Sequence, residues 1–283
     1  MLMEPLEYNL LVRWFVGLHM DDPVWDPTVF SKNRDRLLAA DGAALFLPQV
    51  LEEAKAQDLV SDEHFTVDGT LREAWASRKS LHPVGADAPP PADDPGNPPV
   101  NFHGETRSNA TQASTTDPDA RRARTGAGKA AKLRDTGHVL MENRNGLVVD
   151  ATVRFATGTA ERAAAWDRAA QIPGDRRVTI GGDKHSDPAD RVEKWRDLNV
   201  TPHVAQNHQH RRRAIDQRTT RHPGYRISQT TRKRVEAIVG WLKTGGGFRK
   251  LRHRGVERVE GMFTLGVAAY NWVRIRNLAP ADS

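Results

Sequence analysis

SDEHFTVDGTLREAWASRKS, residues 61–80, is the stretch that decides the fold. Polar and apolar residues alternate from His64 to Val67, and a period of two is typical of a β-strand. The dipeptide Asp68-Gly69 is common in turns, so we expect the strand to end there. Asp68 would then lie at a strand end, where its carboxylate either faces solvent or a metal ion or simply opens a turn.

The bulk composition limits the class of protein. The chain has 283 residues, 38% of them hydrophobic, which is enough for one large domain or two small ones. Cysteine is absent, so disulfides and cysteine-bound zinc are excluded. No apolar run reaches the length of a membrane span, and the first residues do not resemble a secretory signal. We therefore expect a cytoplasmic bacterial protein without a membrane partner.

Positive charge is concentrated in one segment of the chain. The formal net charge of the whole chain is +6, whereas residues 203–254 hold fourteen Lys and Arg against two acids, which gives 14 − 2 = +12. Segregation of this size predicts a polyanionic partner, and a merely solvated basic face is the alternative.

Two regions flank the first strand. Residues 1–60 predict short helices, which form either a DNA-binding module or a helical cap. Residues 81–100 contain seven prolines, which favour extended conformations, and a polar, basic stretch follows to residue 132. We expect residues 81–132 to be a flexible insertion without a hydrophobic core of its own.

The rest of the chain predicts a hairpin, two strands and three helices. The hairpin spans residues 137–157 and turns at Asn145-Gly146. Strands are expected at 177–182 and 201–204, and helices at 188–198, 228–244 and 256–276. This order predicts an α/β fold over residues 61–283 with an RNase H-like core, in which a mixed sheet flanked by helices gathers acidic residues at one edge.

Three acidic residues at one sheet edge suit metal-assisted phosphoryl transfer. Two divalent ions about 3.5–4 Å apart can activate a nucleophile and stabilise the leaving oxygen. Carboxylates prefer hard cations such as Mg²⁺ or Mn²⁺. Basic residues around such a site would neutralise phosphates and steer DNA towards it.

The sequence resembles the DDE transposases of bacterial insertion sequences, in particular the insertion-sequence-five type. Four segments carry the resemblance: EHFTVDGTLREAWAS at 63–77, GHVLMENRNGLVVDATV at 137–153, DLNVTPHVAQN at 197–207 and RKRVEAIVGWLKTGGGFRKLRHRG at 232–255. The chain starts inside what resembles the family's N-terminal helical region. We therefore expect an N-terminal truncation relative to the family.

The resemblance also implies the residues of the site. Asp68 in VDGT, Asp183 in GGDK and Glu236 in RKRVEAIVGW would be the catalytic acids and would bind two Mg²⁺ or Mn²⁺ ions. The family's helix signature has a basic residue four before the glutamate and a lysine seven after it, and Arg232 and Lys243 occupy these positions near one helix face. The DNA-binding residues would be Arg232, Lys243, Arg234, Arg249 and Arg252.

The sequence leaves two possible roles for each of three further groups of residues. Asp150 is either a fourth metal ligand or a residue at the end of the hairpin. Asp187 could replace Asp183, although its position before Pro188 is better explained by a helix cap. The pair His208 and His210 has a spacing that can bind zinc, or it is part of a basic loop.

The resemblance implies a DNA transposase that acts on DNA as a homodimer. Such an enzyme cuts a strand at the ends of an insertion sequence to leave a 3′ hydroxyl, which then attacks target DNA. Two alternatives remain: an RNase H-like nuclease that cuts without joining, and a catalytically inactive DNA-binding remnant.

Overall fold

The computed structural model describes residues 3–39, 42–84, 97, 99–102, 104–126, 128–157, 177–182, 195–205, 215, 217–250 and 252–279. The chain divides into two compact units, Met1–Ala43 and Ala44–Ser283. The division lies earlier than the boundary expected at residue 60. None of the helices in these ranges is long and apolar enough to cross a membrane.

The smaller unit contains α1 (Met3–Tyr8), α2 (Leu10–Phe15) and α3 (Pro27–Ala39). Asn9 separates the first two helices, because its Oδ1 accepts the N–H groups of Leu11 at 3.1 Å and Val12 at 3.3 Å. The buried guanidinium of Arg13 donates to four main-chain carbonyls and so holds the loop after α2. The large apolar side chains of α2 are exposed: Leu10, Leu11, Trp14 and Phe15.

The larger unit begins with α4 (Gly42–Ala56) and continues mostly as strands. These are β1 (His64–Glu73), β2 (Leu81–Pro83), β3 (Val100–Phe102), β4 (Glu105–Arg107), β5 (Gln112–Ser114), β6 (Arg121–Ala123), β7 (Lys132–Glu142), β8 (Val148–Phe155), β9 (Val178–Gly182) and β10 (Val200–Val204). The helices that follow are α5 (Gln217–Thr220), α6 (Pro223–Thr231), α7 (Arg234–Thr244) and α8 (Val256–Leu278).

The main sheet has the strand order β10-β9-β1-β7-β8, and the short β6 also pairs with β7. β7 is antiparallel to β1 and to β8, whereas β9 is parallel to β1 and β10 is parallel to β9. Three antiparallel strands followed by two parallel strands, with β1 at the centre, form the mixed sheet of an RNase H-like core. The predicted α/β fold class is therefore confirmed.

β1 is longer than the sequence predicted. Asp68 and Gly69 do not end the strand, because residues 68–73 keep pairing with β7, from Asp68 opposite Val139 to Glu73 opposite Arg134. β7 likewise begins at Lys132, before the predicted start at 137. The backbone partners that each strand offers the other override the local turn preference of the Asp-Gly pair.

The predicted hairpin turn is confirmed between β7 and β8. Gly146 has φ +74°, a left-handed conformation that glycine adopts readily. The fully buried carboxylate of Glu142 accepts the N–H groups of Arg144 at 3.0 Å, Asn145 at 2.8 Å and Leu147 at 3.0 Å. This carboxylate satisfies backbone donors that the tight loop would otherwise leave unpaired.

The two faces of the sheet pack against different elements. Cross-strand partners share a face, and successive residues alternate between faces. One face carries Val139 and Met141 and packs against α4, α7 and α8. The opposite face carries Phe65, Val67 and Leu140, extends over the apolar residues of β9 and β10, and packs against Trp195 and Ile215.

The described part of the insertion packs on the core. β2 pairs with β5, β3 pairs with β4, and β6 joins the main sheet. Ala120 contributes to a small apolar cluster with Ala74 and Leu133 of the main sheet. The Asp119 carboxylate accepts the Val256 N–H at 2.9 Å and so caps α8. Residues 85–96, which hold most of the prolines, lie outside the described ranges.

Candidate active site

Asp68 lies in the middle of the central strand. Its partner on β7 is Val139, so its side chain points to the face that α7 and α8 cover. The side chain is half-buried, and its Oδ1 accepts the Gly69 N–H at 2.9 Å. Pairing with β7 here, and with β9 just before at His64 to Thr66, fixes the backbone that carries this partly exposed carboxylate.

Glu236 lies in the first turn of α7, and its side chain is exposed. α6 and α7 form a nearly continuous helix, because Arg232 and Lys233 keep helical dihedral angles between them. The N–H groups of Val235 and Glu236 bond back three residues, to Arg232 at 3.2 Å and Lys233 at 3.1 Å. The helix predicted at 228–244 thus forms with one tight 3₁₀-type turn in it.

Two contacts show how α6 and α7 run relative to β1. Ser228 Oγ lies 2.8 Å from His64 Nε2, and further along, the charge of Lys243 interacts with Asp68. The helix therefore runs in the direction of β1. Glu236 follows Ser228 by eight residues, roughly 12 Å at 1.5 Å per residue, and Asp68 follows His64 by four, roughly 13 Å at 3.3 Å per residue. Each acid therefore lies roughly 12–13 Å beyond the Ser228–His64 contact, measured along its own element, and α7 covers the sheet face that bears Asp68.

Asp183 lies outside the described residues, as do Asp187, His208 and His210. The strand that precedes it is described to its end. β9 pairs in parallel register with β1, with Thr66 opposite Gly181, and it ends at Gly182 beside Val67. The chain thus leaves β9 next to the part of β1 that bears Asp68.

A divalent cation such as Mg²⁺ needs several oxygen ligands close together. Within those ranges, no three His, Asp or Glu side chains gather closely enough to hold a metal ion. The two carboxylates of Asp68 and Glu236 come from different rigid elements and provide hard oxygen donors, which fit Mg²⁺ or Mn²⁺.

Asp150 is not part of this group. It pairs with Leu140 on β7, and Leu140 pairs with Val67 on β1. Asp150 therefore shares the face of Val67, opposite to the face of Asp68, since side chains alternate along a strand. The suggestion that Asp150 is a fourth ligand is wrong, because the whole thickness of the sheet separates the two carboxylates.

Lys243 is the basic residue whose charge lies near Asp68. It is half-buried, and burial lowers the pKa of its ammonium group. The positive charge of Arg134 lowers this pKa further, whereas the negative charge of Asp68 raises it. Arg232, at the position of the other signature residue, is also half-buried, and its Nε donates to Gln229 Oε1 at 3.0 Å.

The other predicted DNA-binding residues lie at different distances from this centre. Arg234 donates through Nη1 to the carbonyls of Asn143 and Arg144, both at 3.1 Å, and so braces the hairpin loop. Arg249 is exposed, and its carbonyl accepts the Glu73 N–H at 3.2 Å at the far end of β1. Arg252 is exposed, and its guanidinium carbon lies 5.9 Å from the ring centre of Trp75.

The sequence did not predict a cluster of His64, His203 and Ser228 at the start of β1. Ser228 Oγ lies 2.6 Å from His203 Nδ1 and 2.8 Å from His64 Nε2, which ties α6 to β10 and β1. Burial lowers the pKa of His203 to about 4, and the charges of His64 and His222 act in the same direction. The sequence signal is weak, because a lone histidine in a short strand is common.

Both ends of the chain match known families. Residues 190–276 match the family model of the transposase DDE domain, and residues 1–36 match that of the transposase domain DUF772. These matches confirm the resemblance to DDE transposases of the insertion-sequence type. No curated protein matches the chain. Among solved structures it is similar to piggyBac transposase in a cryo-EM synaptic complex with hairpin DNA, at TM-score 0.43 and 10% identity; the match covers 94% of this chain and 61% of that chain.

Proposed function

We propose that the chain is a transposase that cuts a DNA strand at the ends of an insertion sequence and joins the resulting 3′ hydroxyl to target DNA. The observation that carries this proposal is that α7, the helix that bears Glu236, covers the sheet face to which Asp68 points. The end of β9, which leads into Asp183, supports the same centre. The transposase DDE domain match over residues 190–276 supports the class of reaction.

Asp68, Asp183 and Glu236 would hold two divalent ions, which supply an activated nucleophile and a stabilised leaving oxygen when bound. Asp68 is fixed by its pairing with Val139 on β7, two residues after the pairing of β1 with β9 ends. Glu236 projects from a helix that is anchored in the core by Val235 and Ile238. Because both elements are rigid, the separation of their carboxylates is set before DNA binds.

Basic side chains around the acids would orient the DNA. Lys243, whose charge interacts with Asp68, would neutralise a phosphate as a point charge, and Arg232 could bind two oxygens of another. Arg249 and Arg252 would continue the contact along the backbone. Arg234 already donates two hydrogen bonds to the hairpin loop, so we assign it a contact through its remaining N–H groups.

The proposed reaction is an in-line displacement at phosphorus, first by water and then by the 3′ hydroxyl. It requires no covalent enzyme intermediate, so the chain's task is to position and neutralise charged groups. Two copies would act on the paired ends of the element as a homodimer, which light scattering of the protein–DNA complex can measure.

Strand transfer is the experiment that tests this function. The purified chain is incubated with labelled donor duplexes, taken from the DNA that flanks its coding region, and with a plasmid target in Mg²⁺ or Mn²⁺. Donor ends covalently joined to the plasmid support transposition. Cut donor ends without joined products favour a nuclease, and salt-dependent DNA binding without any cutting favours an inactive remnant.

A further inference from the structure

A cavity of about 950 Å³ lies between the end of β1 and the insertion. Its apolar wall includes Leu81, Val100 and Leu133. The volume is near the upper end for sites that bind small molecules in proteins. Residues that are far apart in the sequence meet here, because the insertion packs on the end of β1.

The charged residues that line this cavity are almost all basic. Glu73 is the one acid among the described lining residues, and its Oε1 already binds Lys132 Nζ at 2.5 Å. The remaining cations around the cavity are Arg78, Lys79, Arg107, Arg122, Arg124 and Lys250. A concave wall with this charge balance attracts an anion that carries several negative charges.

Arg122 is held in place before any ligand arrives. Its N–H donates to Asn109 Oδ1 at 2.7 Å, and Asn109 Nδ2 donates back to its carbonyl at 3.1 Å. Its Nη2 also donates to the Arg107 carbonyl at 2.7 Å. Burial lowers the pKa of this guanidinium, and the nearby charges of Arg124, Arg78 and Arg107 lower it further. A bound anion would reduce the electrostatic repulsion between cations that lie this close together.

An aromatic side chain lies next to the cationic wall. Trp75 stands between Ala74 and Ala76, which both line the cavity; its own side chain lies beside the cavity and is not part of its lining, and 38% of its surface is exposed. Lys250 Nζ, which also lines the cavity, lies 5.0 Å from its ring centre. A basic groove with an exposed aromatic ring is the arrangement that binds single-stranded nucleic acid without sequence preference.

We propose that this pocket binds a short segment of single-stranded DNA, with phosphates on the basic wall and a base stacked on Trp75. The cavity is sized for a few nucleotides and not for a duplex. Glu73 follows Asp68 by five residues of strand, roughly 17 Å. If the proposed transposase function holds, the pocket would take unpaired DNA that continues from the site of cleavage.

Salt-dependent binding of a labelled 20-nucleotide thymidine strand tests the pocket. The variant pair Arg78→Gln with Arg124→Gln removes two exposed cations from the wall, and the matched pair Arg258→Gln with Arg276→Gln removes two exposed cations from α8. Two lost phosphate contacts should reduce the salt slope for single strands by about 1.4. Between 50 and 200 mM salt, the parent should therefore lose about sevenfold more affinity than the pocket variant. The α8 pair should keep the parent's slope.

Trp75→Leu tests the aromatic ring separately. Loss of one stacked base should weaken single-strand binding by at least about fivefold, with little change in the salt slope. Equal slopes for the pocket pair and the α8 pair would overturn the proposal. Displacement of the strand by ATP at equal phosphate concentration would also overturn it, because the pocket would then be a nucleotide site. Strand-transfer assays of the parent are independent, so a chain that binds single strands here but never cuts would contradict the proposed function and leave the pocket standing.

Discussion

The middle and the end of β1 carry two opposite kinds of charged surface. At Asp68 the strand presents a carboxylate on the face covered by α7, the helix that bears Glu236. At Glu73 the described wall of the cavity is basic, and its one acid is paired with Lys132. The first surface suits metal cations, and the second suits phosphates. The candidate active site at Asp68 and the candidate DNA-binding pocket at Glu73 thus lie at different positions along one strand.

A buried ion pair lies between these two surfaces. Arg72 Nη2 lies 2.5 Å from Asp135 Oδ1, and both side chains are almost fully buried. The guanidinium carbon also stands 4.5 Å from the ring centre of Phe263 on α8. Arg72 shares the face of Asp68, because the two are four residues apart on the strand. The pair therefore fixes the part of β1 that connects the two surfaces.

The largest effect should come from the two proposed metal-binding acids, Asp68 on β1 and Glu236 on α7. Glu236→Gln and Asp68→Asn each remove a proposed metal-binding charge, so strand cleavage in Mn²⁺ should fall by orders of magnitude. DNA binding without metal should hold or improve, because a negative charge near phosphate is gone. Gel assays of cleavage and anisotropy measurements of binding check both outcomes.

Glu257→Gln is the matched control for these acids. Glu257 is an exposed glutamate in the first turn of α8, as Glu236 is in the first turn of α7. It should cleave at the rate of the parent. If Glu236→Gln cleaved at the rate of the parent, Glu236 would not be the third acid of the site.

These two surfaces differ in how far the sequence predicts them. Local sequence patterns predict the elements of the acidic surface. Alternation from His64 to Val67 predicts the strand, and helical spacing predicts the helix that bears Glu236. The predicted strand end at Asp68-Gly69 was nevertheless wrong, because β7, more than sixty residues away, supplies the hydrogen bonds that extend β1. Long-range pairing of this kind leaves no mark in a short window of sequence.

The basic pocket could not be predicted from the sequence. Its wall combines residues around Arg78, the strand β6 and Lys250, and only the sheet brings these together. The proline count of residues 81–100 suggested a loop and concealed the short strands around it. Asp150 illustrates a second limit of the sequence. Its position after a β-rich run is compatible with a metal ligand, whereas its strand pairing puts its side chain on the face opposite to that of Asp68.

The next largest effect should come from the buried ion pair. Arg72→Met leaves Asp135 buried without its partner, which should lower the free energy of unfolding by about 3–5 kcal/mol. Replacing both residues, as in Arg72→Met with Asp135→Leu, should recover much of the loss, because no uncompensated charge remains. Denaturant unfolding of the two variants measures the difference. Equal losses in both would show that the Arg72 contact with Phe263, and not the ion pair, holds this part of β1.

Acid should loosen the histidine cluster at the start of β1. The pKa of His203 is lowered to about 4 by burial and by the charges of His64 and His222. Unfolded protein therefore binds more protons than folded protein below pH 6.5, and stability should fall as the pH drops from about 6.5 to about 4, by at most roughly 3 kcal/mol. Thermal unfolding across this range measures the loss. His203→Gln should flatten the pH dependence, and an unchanged profile would exclude His203 as its source.

The smallest effect separates the two surfaces most directly. Lys243 lies near Asp68, so Lys243→Ala should remove one contact with duplex DNA and reduce the salt slope for duplex binding by about 0.9. Between 50 and 200 mM salt this amounts to about a three- to fourfold difference in lost affinity. The slope for a single strand should stay unchanged, because that strand is assigned to the pocket. The pair Arg78→Gln with Arg124→Gln should show the reverse preference. The alternative outcome is that both variants change the duplex slope and the single-strand slope equally. In that case the middle and the end of β1 would form one continuous DNA-binding surface.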